Sequence, residues 1–288
     1  MKSLRPTHPR APVLDPGRGR TKTGYLWAVL RDDRGHGGAD PPIVVYHYAP
    51  GRGGEHAERI LEGFDGVLQV DGYGGYHRLA RPGRGGGAPL RLAWCWSHGR
   101  REIIAATPKA GSPVAEAILA RIAALYAIEA EIRGKDASIR QTVRVERSRP
   151  LVDELANFLR AQAARLSGRG EMGKAIAYLL NHWEGLTAFL EDGRIEMDTN
   201  LVENQIRPLT LTRKNALFAG HDEGASYCSS GDILIDQGAL GVGFQISGAV
   251  AASASRRTPS FCTSPRRIIS GAPEHSCWAG TTPLVISR

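Results

Sequence analysis

The spacing of apolar residues divides this chain into a strand-rich first part and a long helical part. In the first part, residues 25–31 and 43–48 have the β-type pattern of a hairpin. Residues 109–190 instead carry apolar residues at helical spacing, beginning after Ser112 and Pro113, which suit the N-cap and first turn of a helix. The pattern therefore predicts a mixed α/β fold with a packed helical segment inserted into it.

A carboxylate follows a strand in the first part of the chain. Val67, Leu68 and Val70 have the pattern of a buried strand, and Asp71 stands at its end, before a glycine-rich turn. A carboxylate in this position can hold a metal ion on a rigid element while one side stays open to substrate. An aspartate followed by glycine is also an ordinary turn signal, so both interpretations of Asp71 stand.

A second carboxylate lies within residues 198–225. Asp198 is a good helix cap, and Pro208 must kink or end the short helix that follows it. Glu203 precedes Arg207 by one helical turn, which places the two side chains on one face. A simple helical ion pair explains this spacing, and so does a catalytic carboxylate beside a phosphate-binding arginine.

The charge balance and the cysteines limit the class of protein. The net charge of +8 and the isoelectric point near 9.6 favour binding to polyanions. The four cysteines have no paired CxxC spacing, which indicates a reducing compartment. Cys95 and His98 can supply two soft ligands, but no suitable second pair accompanies them, so a structural zinc site is disfavoured.

Targeting signals and membrane spans are not expected. The first twenty residues are basic and proline-rich without an apolar centre, unlike a signal peptide. The least polar long stretch, around residues 238–255, contains too much glycine, serine and glutamine to span a bilayer. We therefore expect a cytoplasmic protein, associated with the nucleoid, that has no membrane partner.

Four separated blocks resemble the DDE transposases of bacterial insertion sequences, specifically the insertion sequence sixty-six family. The resemblance covers about Pro12 to Ala225, and its blocks are PVLDPGRGRTKTGYLWAVLRDD, LQVDGYGGYHRL, CWSHGRR and DTNLVENQIRPLTLTRKNALFAGHDEGA. It implies a ribonuclease H-like sheet with an inserted all-helical subdomain. In that family two aspartates and a glutamate hold Mg²⁺ or Mn²⁺ ions for DNA cleavage and strand transfer. Asp71 matches the second acidic residue and Glu203 the third.

The resemblance also implies the partners of the chain. DNA is expected as the substrate, at the ends of the insertion sequence and at its target. Further copies of the chain, or other transposase subunits, are the expected protein partners. The candidate contacts to DNA phosphates are His98, Arg100, Arg101, Arg207, Arg213 and Lys214.

The chain departs from the family before its first shared block. The family's first aspartate precedes that block, but the matching stretch here, PTHPRA from Pro6, contains no carboxylate. Pro6, Pro9 and Pro12 each lack the N–H group that a central strand needs, so the first strand is expected to be missing. Asp15 lies inside the shared block and is interpreted as a turn residue, not as a replacement ligand.

The chain departs from the family again after Ala225. The following segment contains Cys228, Cys262 and Cys277 and no lysine, as a change of reading frame would produce. It has no sustained apolar period, so it is expected to be largely disordered. The predicted divisions are a remnant segment at residues 1–20, core at 21–108, helical insertion at 109–190, core at 191–225 and an unrelated tail at 226–288.

These observations predict a transposase that is catalytically impaired. Two-metal phosphoryl transfer needs several fixed carboxylates, and only Asp71 and Glu203 are matched. One alternative is a non-catalytic DNA-binding remnant. Another is a metal-dependent nuclease with a substitute ligand, for which Asp15 is the nearest candidate. A third is a pseudogene product that folds poorly.

Overall fold

A computed structural model describes Arg10–Asp15, residues 18–206, Ile233–Leu234 and Leu284–Ser287. These parts form a mixed α/β structure in which one sheet packs against helices, so the predicted fold class is confirmed at that level. The strands are β1 Arg10–Asp15, β2 Arg20–Arg31, β3 Ile43–Ala49, β4 Val67–Val70, β5 Arg91–Trp94, β6 Ile233–Leu234 and β7 Leu284–Ser287.

The sheet has the strand order β5-β4-β7-β2-β3-β6, and β1 pairs with the first half of β2. β2 and β3 are antiparallel partners, which confirms the predicted hairpin. β4 is parallel to both of its neighbours, β5 and β7. The sheet therefore combines an antiparallel half around β2 with a parallel half around β4, and β7 joins the two halves.

β2 contributes side chains to two apolar cores, one on each face of the sheet. Trp27 and Val29 are buried in the larger core, whereas Ala28 and Leu30 are buried in a smaller core with Val202. This alternation follows from the strand period of two, which turns successive side chains to opposite faces of the sheet. The smaller core fixes the helix at residues 200–206 to one face of the sheet.

The α-helices follow the predicted apolar stripes. Ser112 caps the longest helix by accepting a hydrogen bond from the Ala115 N–H group at 3.3 Å, and Ile118, Ile122 and Leu125 of that helix are fully buried. The helices are α1 Gly54–Ile60, α2 Trp96–Ala106, α3 Pro113–Ile132, α4 Ala137–Val143, α5 Arg149–Arg165, α6 Glu171–Asn181 and α7 Trp183–Thr187. A π-helical turn at Arg144–Ser148 joins α4 to α5.

A buried ion network attaches the helical segment to the sheet. Arg144 forms two hydrogen bonds of 2.7 Å with the Glu129 carboxylate, and Arg140 contacts both Glu129 and Glu196. The backbone of Glu196 in turn exchanges two hydrogen bonds with the Gln69 side chain on β4. Because a buried charge without its partner is strongly destabilising, these contacts set how α3 lies relative to β4.

The structure adds detail in three segments that the sequence analysis describes. β1 begins at Arg10, inside the stretch expected to be a remnant. Among the described strands it pairs with β2 alone, and a strand with one neighbour can accommodate a proline such as Pro12. β5 ends at Trp94, and most of the CWSHGRR block lies on α2. Within the tail, β6 and β7 pair with strands of the core sheet.

Candidate functional site

Asp71 lies where β4 ends, and it is only 5 % exposed. Its Oδ1 atom accepts a hydrogen bond of 2.9 Å from the Tyr73 N–H group, which closes a tight turn after the strand. The turn explanation and the rigid-ligand explanation of Asp71 are therefore compatible. One carboxylate oxygen holds the turn, and the strand fixes the position of the whole group.

Glu203 lies on the helix at residues 200–206, with about a third of its side chain exposed. Its Oε1 atom accepts a hydrogen bond of 3.5 Å from Thr199 Oγ1 and lies 3.6 Å from His98 Nε2. Its Oε2 atom lies 3.9 Å from an Arg101 nitrogen. The helical ion pair that its spacing to Arg207 suggested involves a residue outside the described part of the chain.

His98 is the residue that both candidate carboxylates influence. It lies in the first turn of α2, and its side chain is 15 % exposed. Burial lowers the pKa of His98, but the neighbouring Cys95 sulfur and the negative charges of Asp71 and Glu203 outweigh burial and raise the pKa overall. Asp71 and Glu203, which are far apart in the sequence, thus both raise the pKa of one imidazole ring, and Glu203 also contacts it.

Cys95 connects the start of α2 to the segment that carries Glu203. It is buried, and its sulfur accepts a hydrogen bond of 3.3 Å from the Thr199 N–H group and lies 3.0 Å from Ser97 Oγ. Burial raises the pKa of the Cys95 thiol, but His98, Ser97 and Thr199 lower it further than burial raises it. Sequence reasoning considered Cys95 with His98 as a zinc pair and missed the contact with Thr199.

The described residues do not provide the donors for a two-ion centre. Among them, no group of three or more histidine, cysteine, aspartate and glutamate side chains is arranged to hold a metal ion. Asp71 and Glu203 supply two carboxylates, and the neighbouring strand β7 has the sequence LVIS, without a carboxylate. The donor set is thus smaller than the arrangement of two adjacent ions requires.

Asp15 does not take the place of the absent carboxylate. It pairs with Arg20 at one end of β2, and its carbonyl oxygen accepts the Arg18 N–H group in the following turn. Asp71 lies at the level of Ala28, because β7 pairs Val70 with Ile286 and Ala28 with Ser287. Eight residues along β2 span about 26 Å, which is too far for two ligands of one ion.

The predicted DNA contacts are only partly within the described structure. Arg100 is exposed on α2, and Arg101 is 41 % exposed beside Glu203. Arg207, Arg213 and Lys214 lie outside the described residues.

An unpredicted basic cleft lies beyond the turn that follows Asp71. It has a volume of about 540 Å³, and Arg78, Arg81 and Arg84 line it together with Glu58, which pairs with Arg78 at 2.7 Å. The spacing of three residues between successive arginines was the available sequence signal. Within the described residues, no helix is long and apolar enough to cross a membrane.

Comparison with known proteins places these features in a family. A model described as "Transposase IS66 family" matches residues 9–227. Three similar proteins come from Sinorhizobium fredii (strain NBRC 101917 / NGR234). The uncharacterized protein y4jD is 46 % identical over 216 residues, which cover 75 % of this chain and 42 % of y4jD. The uncharacterized protein y4qI is 43 % identical over 215 residues, which cover 74 % of this chain and 40 % of y4qI.

The third relative, the uncharacterized protein y4hP, is 35 % identical over 220 residues, which cover 72 % of this chain and 40 % of y4hP. The chain thus spans about two fifths of the length of these relatives. No solved structure matches the chain. The matched residues include both Asp71 and Glu203, and the chain belongs to the IS66 family of transposases.

Proposed function

We propose that this protein is a DNA-binding transposase whose catalytic centre is incomplete. One observation carries the proposal: Glu203 lies 3.6 Å from His98, whose pKa the negative charge of Asp71 also raises, whereas the strand β7 beside Asp71 contributes no carboxylate. A nucleotidyl-transfer site needs acidic residues that lie close together, and these two match acidic residues of the family. The absent third carboxylate is what would disable it.

The strand order supports a ribonuclease H-like fold. The antiparallel pair β2–β3 precedes the parallel pair β4–β5 in the chain, and α1 connects the two pairs. Asp71 follows the end of β4, as Cys95 and α2 follow the end of the parallel neighbour β5. Cys95 in turn contacts Thr199, at the start of the helix at residues 200–206. The inserted helices α3 to α7 lie between β5 and Glu203 in the sequence, as the family resemblance implies.

The residues of the site have separable roles in this proposal. A divalent ion such as Mg²⁺ or Mn²⁺ would stabilise charge on a transferring phosphoryl group and activate a hydroxyl group or water. Asp71 and Glu203 are the residues that would hold it. Thr199 orients the Glu203 carboxylate, whereas His98 and Arg101 bring positive charge to it. A protonated His98 therefore competes with a cation for the same oxygen atoms.

The proposed DNA binding is supported by the net positive charge of the chain and by the positions of its arginine side chains. The chain has a net charge of +8, and exposed Arg100 and Arg101 lie on the helix that also carries His98. The cleft that contains Arg81 adjoins the turn after Asp71. Arg101 beside Glu203 and Arg81 in the cleft that follows Asp71 suit contacts with the phosphate backbone of a bound duplex.

The alternative of a nuclease that uses Asp15 is disfavoured, because β2 keeps Asp15 about 26 Å from the level of Asp71. A non-catalytic DNA-binding protein differs from the main proposal only in whether any cleavage remains. The absence of a carboxylate on β7 favours little or no cleavage.

The decisive experiment measures strand cleavage and joining in Mg²⁺ and in Mn²⁺. The substrates are labelled duplexes that carry the sequences flanking the reading frame of the protein, and Glu203→Gln serves as the control. We expect the unaltered chain and the Glu203→Gln variant to give the same background, while both bind the duplexes. Cleavage that the Glu203→Gln substitution abolishes would contradict the proposed impairment.

A further inference from the structure

We propose that β7 is a substitute central strand, in which Leu284–Ser287 take the position between β2 and β4 that the segment preceding β1 would otherwise enter. The sheet would then be completed by a segment from the opposite end of the sequence. The pairing itself is independent of any catalytic role.

The registers on both sides of β7 support this assignment. On one side, Val285, Ile286 and Ser287 pair antiparallel with Leu30, Val29 and Ala28 of β2. On the other side, Leu284, Val285 and Ile286 pair parallel with Leu68, Gln69 and Val70 of β4. Val285 and Ile286 are therefore paired in both directions, as residues of an interior strand are.

β1 and β7 lie end to end along one edge of β2. Tyr25 pairs with Arg10 of β1 and also with Ala49 of β3, so β1 and β3 lie on opposite edges of β2. β7 occupies the edge opposite β3 as well, and it is antiparallel to β2 like β1. Continuing the register of β1 backwards would set Thr7, Pro6 and Arg5 against the three β2 residues that β7 pairs.

The chemistry of the two segments explains which one fits this position. An interior strand must donate hydrogen bonds, and the N-terminal segment contains Pro6 and Pro9, which lack N–H groups. The flanking residues Val29 and Val70 are fully buried, so an apolar occupant is needed. The sequence LVIS of β7 supplies β-branched residues and every N–H group.

The substitution has a consequence at the candidate site, and this consequence rests on the proposed function. Ile286 pairs with Val70, so the next residue, Ser287, lies at the level of Asp71 on the adjacent strand. A carboxylate at that level would lie close enough to share a cation with Asp71. The substitute strand therefore restores the hydrogen-bonded sheet and leaves the acidic site incomplete.

Engineered cysteine pairs test the register directly. Cα atoms of directly opposite residues on antiparallel strands lie about 4.5–5.5 Å apart, within the range that a disulfide spans. The test variant carries Ala28→Cys and Ser287→Cys in the full chain, with Cys228, Cys262 and Cys277 each replaced by serine. The matched control carries Ala28→Cys and Ile286→Cys, one residue out of register and on the opposite face of the pleat.

After mild oxidation, mass spectrometry of proteolytic fragments identifies the linked peptides. We expect the Ala28–Ser287 pair to form a disulfide within one chain, at a yield independent of protein concentration and at least about tenfold above the control. Equal yields in the two variants would overturn the register. A concentration-dependent dimer would assign the strand to a second copy and would overturn the proposal for a single chain.

If the engineered cysteines prevent folding, a second pair of variants tests the same strand through its effect on stability. Val285→Pro removes an N–H group from the strand, whereas Val285→Ile retains it together with the β-branched shape. We expect only Val285→Pro to lower the Tm, by roughly 4 °C or more. Equal Tm values for the two variants would show that β7 does not complete the sheet. Neither readout depends on DNA cleavage, so failure of the proposed function would leave both results interpretable.

Discussion

Asp71 and Glu203 are held to very different degrees. Asp71 is buried at a strand end, and one of its oxygen atoms is committed to the Tyr73 N–H group. Glu203 is a third exposed and interacts with three polar neighbours at distances of 3.5 Å or more. Glu203 can therefore adjust to a bound cation or phosphate group, whereas Asp71 fixes where such a group must lie.

The first residue-scale prediction concerns Ser287, at the level of Asp71. Replacing Ser287 with aspartate adds a third carboxylate at the end of the sheet. We expect the Ser287→Asp variant to bind Mn²⁺ on the order of tenfold more tightly, because affinity for hard cations rises with the number of charged oxygen ligands. Isothermal titration calorimetry measures this change, and Mn²⁺ should also raise the Tm of the variant.

The neutral isostere Ser287→Asn is the control for Ser287→Asp. The combination of Ser287→Asp with Asp71→Asn should return the Mn²⁺ affinity to its starting value. If Ser287→Asn and Ser287→Asp bind Mn²⁺ equally well, Ser287 does not lie beside Asp71 in solution.

The second residue-scale prediction concerns Tyr46 on β3. Its hydroxyl group donates a hydrogen bond of 2.8 Å to the Gln205 carbonyl oxygen on the helix that carries Glu203. Burial raises the pKa of Tyr46 to about 12, above its ordinary value of 10.0. The folded state thus favours the neutral phenol, and stability that is present below pH 10 is lost as the pH rises from 10 towards 12.

Replacing Tyr46 with phenylalanine removes both the hydrogen bond and the titrating group. We expect Tyr46→Phe to lower the free energy of unfolding at pH 7 by about 1 kcal/mol and to weaken its decline above pH 10. Chemical denaturation at a series of pH values measures both effects. Parallel pH profiles for the two proteins would show that Tyr46 is not the group responsible.

At the scale of elements, the stability of the helical segment depends on buried ion pairs. Glu129 on α3 contacts Arg140 and Arg144, whose side chains are at most 1 % exposed. Glu131, two residues further along α3, forms an exposed pair with Arg147. Replacement of Glu129 with glutamine leaves two buried guanidinium groups without their shared carboxylate, so we expect a loss of about 3–5 kcal/mol in the free energy of unfolding.

The exposed pair gives this prediction its internal control. Glu131→Gln removes a carboxylate from the same helix in a solvent-exposed position, so little change is expected. Urea denaturation of the two variants measures the difference. Similar losses for Glu129→Gln and Glu131→Gln would mean that the buried network contributes no more than a surface pair.

The sequence predicts these elements better than the contacts between them. The apolar stripe of α3 and the Ser112 cap identify that helix, because its spacing and end signals are local. The network that joins Glu129, Arg144 and Glu196 combines distant parts of the chain, so no periodic pattern in the sequence predicts it. The position of His98 relative to Asp71 and Glu203 was hidden for the same reason.

At the scale of the whole molecule, the proposed binding of DNA should depend on the positive charge of the chain. Arg81 lines the basic cleft and is exposed, and we expect Arg81→Gln to weaken duplex binding equally for unrelated sequences. If Arg81 contacts one phosphate, the slope of log K against log salt concentration should fall in magnitude by about 0.9. Fluorescence anisotropy at several salt concentrations measures both quantities.

Arg147→Gln is the comparison for Arg81→Gln, because Arg147 lies in the helical segment and pairs with Glu131. That variant should retain the original affinity and slope. If Arg81→Gln retains them as well, the cleft does not contact the DNA backbone.

The arrangement of the sheet shows where prediction from sequence stops. Pro6 and Pro9 argue against a central strand in the N-terminal segment, since proline cannot donate to the ladder, and both residues lie outside the described part of the chain. The LVIS segment is apolar enough to form a strand, but its local pattern does not indicate that its neighbours are β2 and β4. Strand neighbours in this sheet depend on register across nearly the whole chain.

The pairing of β7 with β2 also has a consequence for biosynthesis. β2 is synthesised long before its partner residues Val285 to Ser287, because the two strands are far apart in the sequence. Until then, the edges of β2 and β4 that face each other lack their shared neighbour and can pair with strands of other nascent chains. The centre of the sheet is therefore completed late, and protection by chaperones during translation should determine how much of the protein reaches its folded state.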